Sequence, residues 1–364
     1  MLALKQCQLL NQRFTQPLLD WFDHHGRKAL PWQTPRNAFR VWISEIMLQQ
    51  TQVKTVIPYF NRFVEHFPDL AALAQASEDD VLALWSGLGY YSRARNLQKT
   101  AQLLIKNYCG AFPRDVNTLQ TLPGIGPSTA AAITSLAFGQ ATAILDGNVK
   151  RVLSRYFLRS GTFEKTSAKQ SLFLLANQCM SATRCADYTQ AIMDLGAMIC
   201  TPKKANCLQC PLQQTCLAHQ NNVVEHYPEK RIKKILPIKH EQFLVLQTKD
   251  AFIYLEKRPS NGLWGGLWCL PTLNMDNCPT TYLWDTHHCH AQTIQPLLHL
   301  KHTFSHFQLH IYALSIAVDK STHTPAANGC WFRASDLASL GLATPVNTIL
   351  QHVFMRLSAT TASG

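Results

Sequence analysis

The chain has 364 residues, a formal net charge of +12 and a pI near 9.2. This length exceeds what one hydrophobic core usually holds, so we expect two domains. The sequence has no run of about 18 apolar residues and no apolar signal segment at its start, which predicts a cytoplasmic protein without a membrane partner. The basic balance favours a polyanionic partner, and nucleic acid is the first candidate.

Four of the twelve cysteines lie in one short stretch, at Cys200, Cys207, Cys210 and Cys216. This usage indicates a reducing compartment and one metal site rather than a disulfide framework. A zinc ribbon usually has two CxxC pairs about 15–20 residues apart, whereas one tight loop of four thiolates suits an iron–sulfur cluster. The spacing therefore ranks a [4Fe–4S] cluster first and zinc second. Two disulfides, which would strain so short a loop, or four unliganded thiols are the remaining alternatives.

The chain up to Cys216 is predicted to be helical. Apolar residues recur at helical spacing between Gln52 and Phe67. Ser77 and the acidic residue three positions later have the spacing of a capping box, and another helix is expected from about Tyr91 to Tyr108. No alternation of period two occurs here. The sequence thus predicts an all-α domain over residues 1–218.

The composition changes after the fourth clustered cysteine. The polar, charged segment His219–Lys239 contains two prolines, and residues 219–236 within it are predicted to form an interdomain linker. Three short β-like runs follow, at Phe243–Gln247, Phe252–Leu255 and His310–Val318. A helix is expected near Val346–Arg356. Residues 237–364 are therefore predicted to form an α+β domain.

A glycine-containing turn opens a helix of small residues that runs to about Phe138. Gly124 and Gly126 let the backbone adopt conformations closed to other residues, and the amides at a helix N-terminus can bind a phosphate. This predicts a contact with DNA backbone that does not depend on base sequence. A tight interhelical turn without a ligand is the alternative.

Two acidic residues have apolar neighbours in the sequence. Glu45 lies in a segment where burial would raise its pKa toward that of a general acid; the alternative is an exposed residue on an amphipathic helix. Asp146 precedes a helix beginning near Asn148, where it can cap the helix, stay ionised and stabilise a developing cation. One protonated and one ionised carboxyl group suit the breaking of a glycosidic bond.

Five segments together resemble the MutY-type adenine-DNA glycosylases: Glu45–Val53, Leu88–Ser92, Leu122–Thr129, Leu145–Val149 and the four-cysteine loop. The resemblance covers nearly the whole chain, and the C-terminal part resembles the family's Nudix-like domain. It implies a helix-hairpin-helix glycosylase with a [4Fe–4S] cluster. Such an enzyme removes adenine mispaired with 8-oxoguanine or guanine from double-stranded DNA, the first step of base-excision repair. We expect it to act at the nucleoid as a monomer.

The resemblance also implies roles for individual residues. Glu45 would protonate adenine at N7, Asp146 would stabilise the oxocarbenium-like sugar and help to activate water, and Asn148 would support that geometry. The target base must be flipped out of the duplex while side chains fill the gap. The residues implied to form this wedge and the adenine pocket are Gln50, Thr51, Leu88, Tyr90, Trp32 and Gln190. The tryptophan is alternatively a core residue.

Two further positions bear on strand cleavage. Relatives that also cut the strand carry a Lys nucleophile in the hairpin, whereas this chain has Ser128, which cannot form a Schiff base. Some MutY relatives have Tyr there. We therefore expect at most weak lyase activity. Lys150 is expected to be a charge near the DNA, although it could form an adduct with an abasic product.

The C-terminal domain resembles Nudix hydrolases at Asn261–Trp268. The hydrolase signature needs several glutamates on one helix, and Glu241 and Glu256 are the only glutamates after residue 237, so pyrophosphatase activity is not expected. In the family this domain reads 8-oxoguanine, and the matching loop here consists of Phe304, Ser305 and His306. The serine could contact N7–H and O8 of the oxidised base. Ordinary turn and strand histidines are the alternative.

Two other functions stay open at this point. One is an endonuclease III-like pyrimidine glycosylase/lyase, disfavoured by Ser128 and by the extra domain. The other is a DNA-binding or redox protein that carries the cluster but uses Glu45 and Asp146 only structurally.

Overall fold

The computed structural model describes residues 8–161, 166–229, 235–319 and 326–361. The first seven residues, and residues 230–234 of the predicted linker, lie outside the described ranges. Contacts divide the chain into two compact units: Met1–Ala74 with Lys99–Lys233, and Gln75–Gln98 with Lys234–Gly364. No helix in the described part of the chain is long and apolar enough to span a membrane.

Helices account for the regular structure of residues 8–229 wherever these are described, which confirms the predicted all-α fold of this part. The α-helices are α1 (Gln16–His25), α2 (Ala38–Leu48), α3 (Val53–His66), α4 (Leu70–Gln75), α5 (Glu78–Trp85), α6 (Ser92–Tyr108), α7 (Val116–Gln120), α8 (Pro127–Phe138), α9 (Gly147–Tyr156), α10 (Thr166–Cys179), α11 (Cys185–Asp194) and α12 (Leu217–Gln220). Short 3₁₀ turns occupy Pro31–Gln33, Cys207–Gln209, Gln213–Thr215 and Val224–His226, and π-helical turns occupy Asn11–Thr15 and Leu195–Ile199.

The core of the first unit forms where α2 packs against α3 and α8. The side chain of Asn37 caps α2 by accepting a hydrogen bond from the backbone N–H of Arg40. Along α2, Trp42, Ile43 and Met47 are fully buried. Helix α8 is rich in alanine, so its backbone can approach α2 closely. This packing fixes the last turn of α2, on which Glu45 lies.

The second unit contains a mixed sheet and two α-helices in its C-terminal part. Within the described residues the strands are β1 (Ile238–Gln247), β2 (Ile253–Lys257), β3 (Trp268–Cys269), β4 (Thr272–Asn274), β5 (Thr293–Thr303), β6 (Gln308–Ala317) and β7 (Gly329–Phe332). Their main order is β3-β2-β1-β6-β5; β4 also pairs with β1, and β7 with β2. Strands β1 and β6 are parallel, and the other pairs are antiparallel. The helices are α13 (Pro279–His287) and α14 (Thr344–Thr361), and a 3₁₀ turn covers Ala334–Ser339.

The predicted α+β character is confirmed, but the sequence missed several strands. Strand β5 pairs with β6 at one end of the sheet order, and its side chains are mostly exposed or half-buried. It also contains Pro296, where the register shifts. An edge strand with so little burial shows no alternation of apolar and polar residues, which is the signal that predicts strands.

Residues Gln75–Gln98 belong to the second unit although they fall within the stretch predicted as the helical domain. Lys257 on β2 forms an ion pair with Asp79 on α5 at 2.7 Å. A Cβ atom added to Gly341 would lie 2.8 Å from the Cβ atom of Leu82, so only glycine lets the chain at residue 341 approach α5 this closely. Helix α5 therefore packs directly on the C-terminal part of its unit.

Candidate active site

An open cavity of about 960 Å³ lies in the first unit. Its walls include eight of the predicted site residues: Trp32, Glu45, Gln50, Thr51, Ser128, Asp146, Asn148 and Gln190. They come from five separate stretches of the chain. A cavity of this size, with a few polar groups that converge on it, is typical of a ligand site.

Glu45 stands on the last turn of α2 and faces this cavity. The residues on either side of it, Ser44 and Ile46, are buried. Burial raises the pKa of Glu45 to about 8, and the charge of the nearby Asp146 contributes to this rise. The side chain therefore holds a proton at neutral pH, as its apolar sequence context predicted.

Asp146 caps α9 and lies in the same cavity. Its Oδ1 accepts a hydrogen bond from the backbone N–H of Val149 at 2.7 Å. Burial raises its pKa, which the predicted helix cap did not anticipate. The N–H groups of Val149 and Asn148 and the charges of Arg151 and Lys150 act in the opposite direction. These groups favour the ionised form of the aspartate and oppose the effect of its burial, whereas both causes that act on Glu45, burial and the charge of Asp146, favour its protonated form.

Arg151 lines the cavity as well and was not predicted. Its guanidinium donates to the carbonyl oxygens of Gly196 and Cys200 and to Oδ1 of Asn148, each at 2.7 Å. The bond to Asn148 fixes the orientation of that amide. The only sequence signal was its position three residues after Asn148 on one helix, since its other partners are distant in the sequence.

A buried ion pair holds Gln190 in the wall of the cavity. Asp194 is fully buried and accepts hydrogen bonds from the backbone N–H of Arg27 at 2.7 Å and from its guanidinium at 2.6 Å. The amide nitrogen of Gln190 donates to the same carboxylate at 2.8 Å. This directs the amide NH₂ toward Asp194, so the amide oxygen is the group offered to a ligand. No sequence pattern indicates this pair.

The other predicted lining residues differ in their surroundings. Trp32 is buried and packs edge-on against Phe60 with ring centroids 5.4 Å apart, so it is both a core residue and part of the wall. Gln50 has a φ of 60°, the left-handed region that non-glycine residues rarely adopt. It is exposed, while Thr51 beside it is half-buried. Strained residues of this kind often mark functional sites.

The hairpin between α7 and α8 is anchored by its apolar residues. Leu122 and Ile125 are buried, and the hydroxyl of Thr100 donates to the carbonyl oxygen of Pro123 at 2.9 Å. Gly124 has a φ of 77°, and both it and Gly126 are exposed. The glycines are thus presented at the surface, at the entrance of α8. They do not line the cavity, whereas Ser128 on the first turn of α8 does.

Lys150 lies on the first turn of α9, outside the cavity wall. Burial lowers its pKa, the charge of Lys169 lowers it further, and Asp146 opposes both. The ammonium group is therefore near the acidic pair without forming part of the wall.

The four clustered cysteines line one separate cavity in the first unit. None of the described cysteines forms a disulfide, and the described residues contain no group of three or more His, Cys, Asp or Glu positioned to hold a metal ion. Burial raises the pKa of Cys207 and Cys216, and that of Cys210 to about 12, and the neighbouring thiols raise them further. Four such thiols around one space can hold a metal site, whose positive ions would stabilise the thiolates.

The cluster loop is tied to α9 by a second arginine. Arg155 is buried and donates to Sγ of Cys200 at 3.3 Å and to the carbonyl oxygen of Thr201 at 2.8 Å. It also donates to the carbonyl oxygens of Val224 and Tyr227 at 3.0 and 2.8 Å. Helix α9 therefore carries Asp146 at its N-terminus and contacts the cysteine loop along its length.

The remaining predicted residues lie in the second unit. Leu88 is buried, whereas Tyr90 is 49% exposed and has a φ of 50°. The loop Phe304–His306 joins β5 to β6 and is closed by a hydrogen bond from the N–H of Phe304 to the carbonyl oxygen of Phe307. The side chains of Ser305 and His306 are exposed, so the loop presents two polar groups to solvent.

The chain is similar to known DNA repair proteins. Residues 43–176 match the family described as HhH-GPD superfamily base excision DNA repair protein, and residues 242–352 match the NUDIX domain. An adenine DNA glycosylase of Buchnera aphidicola subsp. Schizaphis graminum is 39% identical over 348 residues, which cover 93% of this chain and 98% of that protein. The Homo sapiens adenine DNA glycosylase is 33% identical over 405 residues, covering 93% of this chain and 73% of its own length.

Two solved structures resemble the helical part. A thermostable thymine-DNA glycosylase is 27% identical, with a TM-score of 0.54 and coverage of 59% of this chain and 98% of its own. A trapped covalent intermediate of endonuclease III with DNA is 22% identical, with a TM-score of 0.51 and the same coverage. The second likeness shows the fold alone.

Proposed function

Because this chain belongs to the adenine DNA glycosylase family and places Glu45 and Asp146 in one cavity, we propose that it excises adenine opposite 8-oxoguanine or guanine in double-stranded DNA. Family membership makes the chain a DNA glycosylase of base-excision repair. The mispair, the residue roles and the cluster are our inferences. The observation that carries them is the unequal pair of carboxyl groups facing one space.

Adenine is a poor leaving anion at neutral pH, so its departure needs a proton donor. Glu45 keeps its proton up to a pH of about 8 and faces the cavity, so it would deliver that proton to N7 of a flipped adenine. The proton then leaves the carboxyl group as the bond between N9 and C1′ breaks, and the base departs neutral. The glutamate becomes the carboxylate that can next accept a proton from water.

Departure of the base leaves positive charge on the sugar. Asp146, held by the backbone of α9, would stabilise this oxocarbenium-like sugar and orient the attacking water. Asn148, whose amide is fixed by Arg151, would support that arrangement. The two carboxyl groups thus act at opposite ends of one bond, which is why their different protonation states matter.

The wall of the cavity favours a purine with an exocyclic amine. The amide oxygen of Gln190 would accept a hydrogen bond from the N6 amine of adenine, because the amide nitrogen is already bound to Asp194. The buried ring of Trp32 would supply an apolar surface for the base. Guanine carries a carbonyl oxygen at the equivalent position and would leave the amide oxygen unpaired, which disfavours it.

The chain offers no lysine at the hairpin position of strand-cutting relatives. Ser128 stands there and lines the cavity, and a hydroxyl group cannot form a Schiff base with the sugar. We therefore propose a monofunctional glycosylase with at most weak lyase activity. Lys150, whose pKa is lowered by burial, is the residue through which an adduct with the abasic product would form.

DNA binding would use several parts of the molecule. Gly124 and Gly126 would let the hairpin and the N-terminus of α8 approach a phosphate, and the net charge of +12 supplies attraction to the backbone. Gln50 and Thr51 would fill the space left by the flipped base. Leu88 and Tyr90 would also insert into the duplex. We propose that the enzyme acts as a monomer at the nucleoid.

The loop Phe304–His306 would read the base opposite the target. Ser305 can both donate and accept, so it would pair with N7–H and O8 of 8-oxoguanine, a pattern that guanine lacks. His306 lies beside it, with Nδ1 3.4 Å from the serine hydroxyl. The strand locations of Glu241 and Glu256 provide no helix of metal-binding glutamates, which argues against nucleotide hydrolysis.

The residues present fit a [4Fe–4S] cluster held by Cys200, Cys207, Cys210 and Cys216. Four thiols line one cavity, and Arg155 donates to one of them, as a hydrogen bond to a cluster sulfur would require. When bound, such a cluster would fix the loop and so support α9.

A panel of duplexes tests the proposed function. Adenine opposite 8-oxoguanine, adenine opposite guanine, thymine glycol opposite adenine, and an undamaged duplex are each incubated with the full chain. Free bases are then identified by chromatography, and strands are analysed before and after alkali. We expect adenine from the first two substrates and strand breaks only after alkali. Release of thymine glycol with direct strand breaks would identify a pyrimidine glycosylase/lyase, and no base release would leave only a binding function.

A further inference from the structure

The second unit contains a turn, Ser86–Tyr91, that carries Leu88 and the exposed Tyr90; we name it the wedge turn. The hydroxyl groups of Ser86 and Tyr91 both donate to the carbonyl oxygen of Leu342, at 2.8 and 3.0 Å. Leu342 lies directly before α14 in the C-terminal part of the chain. One backbone carbonyl of the Nudix-like part therefore holds both ends of the wedge turn.

The interior of the wedge turn is rigid. The guanidinium of Arg93 donates to the carbonyl oxygens of Leu88 and Gly89 at 3.2 and 3.1 Å, and the indole of Trp85 donates to Gly89 at 3.1 Å. Tyr90 is held at a φ of 50°, which persists only where the surroundings impose it. A displacement of the anchors would thus move the whole turn rather than bend one residue.

A second contact reaches the wedge turn from the loop Asn261–Leu267, named here the connecting loop. Arg95, one helical turn beyond the wedge turn on α6, donates through Nη1 to the carbonyl oxygen of Gly265. The loop is sharply bent, with φ values of 92° at Gly262 and 54° at Trp264. A side chain at Gly266 would meet the carboxyl group of Glu78 on α5.

The connecting loop also touches the lesion-reading loop, Phe304–His306. The ring of Trp264 lies 5.6 Å from that of Phe304 and 5.9 Å from that of His302, between centroids. Trp264 is itself buried. The connecting loop therefore makes two contacts. The side chain of Trp264 packs against the lesion-reading loop, and the carbonyl oxygen of the next residue, Gly265, accepts a hydrogen bond from Arg95 beside the wedge turn.

We propose that the connecting loop couples the lesion-reading loop to the wedge turn, and that Trp264 and Arg95 are positioning residues for specificity. Contact of 8-oxoguanine with Ser305 and His306 would fix Phe304 against Trp264. That contact would hold the carbonyl of Gly265 toward Arg95 and so favour the inserted position of Leu88 and Tyr90. The flipped state of adenine would then be stabilised only when the opposite base is the lesion. This inference rests on the proposed function.

The experiment measures excision with full-length variants. Arg95→Ala removes the donor to Gly265, Arg95→Lys keeps one donor, and Ser305→Ala with His306→Ala removes the lesion contacts. Lys257→Ala is the matched control, because it breaks another contact between α5 and the sheet, the ion pair with Asp79. Single-turnover rates are determined for adenine opposite 8-oxoguanine and opposite guanine. Unstacking is followed by fluorescence of 2-aminopurine in place of the target adenine.

We expect Arg95→Ala to lower the 8-oxoguanine-to-guanine rate ratio roughly fivefold or more, with a parallel loss of 2-aminopurine unstacking opposite 8-oxoguanine. Arg95→Lys should restore much of it, and Lys257→Ala should leave it unchanged. In the lesion-loop variant, Arg95→Ala should have little further effect, because coupled residues are not additive.

Each other outcome has a definite meaning. If Arg95→Ala lowers both rates equally, or adds its full effect to that of the lesion-loop variant, the arginine is merely structural and the coupling is wrong. If the parent chain shows no preference for 8-oxoguanine, or excises no adenine, the proposed function fails before the coupling is tested. A parent that has the preference and an Arg95→Ala variant that keeps it would overturn the coupling alone.

Discussion

The difference between Glu45 and Asp146 arises from their local partners. Both are removed from water, which raises the pKa of each. Asp146 stands at a helix N-terminus and receives backbone hydrogen bonds, which favour its charge. Glu45 stands at the C-terminal end of α2, where a carboxylate is disfavoured by the helix dipole. The two helix ends thus favour the protonated form of Glu45 and oppose protonation of Asp146.

This assignment predicts how Glu45 affects stability with pH. Its folded pKa of about 8 lies above the ordinary value of 4.5, so the parent loses stability as the pH rises through this window. Gln does not titrate. Between pH 4.5 and 8, the free energy of unfolding of Glu45→Gln should therefore rise relative to that of the parent by roughly 2–4 kcal/mol. This is somewhat less than the full pKa shift would give, because the cavity is open to solvent. Urea unfolding at both pH values measures this.

The control for that measurement is Glu65→Gln, which changes an exposed glutamate on α3. It should show no pH-dependent gain over the parent. A stability difference for Glu45→Gln that stays constant from pH 4.5 to 8 would show that Glu45 is ionised in the folded chain at neutral pH.

Helix α9 is the element that organises the site. Asp146 and Asn148 lie at its N-terminus, and Arg151 and Arg155 connect its next turns to the segment Gly196–Thr201. The acidic motif at its start could be predicted from the sequence because cap and carboxylate are local features. The contacts of these arginines with Gly196–Thr201 could not, since their acceptors are three backbone carbonyls and one cysteine sulfur 45 to 49 residues away, which no sequence pattern reveals.

Gly196 packs so closely against α9 that any added side chain should disturb the structure. A Cβ atom at residue 196 would lie 2.6 Å from Cβ of Asn148 and 3.2 Å from its backbone. Gly196→Ala should therefore displace the start of α9, lower stability by about 1–3 kcal/mol, and slow adenine release. Thermal unfolding and single-turnover assays measure the two effects. Gly147→Ala is the control for stability, since its added methyl group meets no atom within 4 Å.

If Gly196→Ala were as stable and active as the parent, α9 would have to tolerate a shift of its N-terminus. The proposed dependence of Asp146 on that helix would then be wrong.

The four cysteines of the loop predict that the chain binds iron and sulfide. Anaerobically purified chain should contain iron and sulfide near four each per molecule, on the chemistry of [4Fe–4S] sites. Cys207→Ser should lower the iron content and the thermal stability, because the cavity that Cys207 lines would lose a ligand. Cys109→Ser, at an exposed cysteine outside the loop, should keep both. Stoichiometric zinc without iron in the parent would contradict this account.

At the scale of the whole molecule, the sequence predicted the two fold classes but not how the chain divides. The all-α and α+β parts follow from the period of the apolar residues. Residues Gln75–Gln98 have a helical pattern like that of their neighbours, yet they belong with the C-terminal part. Two of their partners in that part, Leu342 and Gly265, act through backbone carbonyls. Because carbonyls are common to all residues, such contacts leave no trace in composition or spacing.

The predicted parts of the site depend on neighbouring residues in the sequence, and the other parts depend on distant ones. The roles of Glu45, Asp146 and the hairpin glycines could be predicted because each depends on the residues next to it in the sequence. The ion pair of Arg27 with Asp194 joins positions 167 residues apart and holds Gln190. A supporting pair of this kind becomes visible only when the fold brings the residues together.

The most direct test of the central claim is single-turnover release of adenine from a duplex containing adenine opposite 8-oxoguanine. The full-length parent, Glu45→Gln, Asp146→Asn and the control Glu65→Gln are compared, and binding of the same duplex is measured alongside. We predict that both active-site variants bind the duplex nearly as the parent does and release adenine roughly 100-fold more slowly or worse, with the control unchanged. Release at the parental rate by Glu45→Gln and Asp146→Asn would contradict the account.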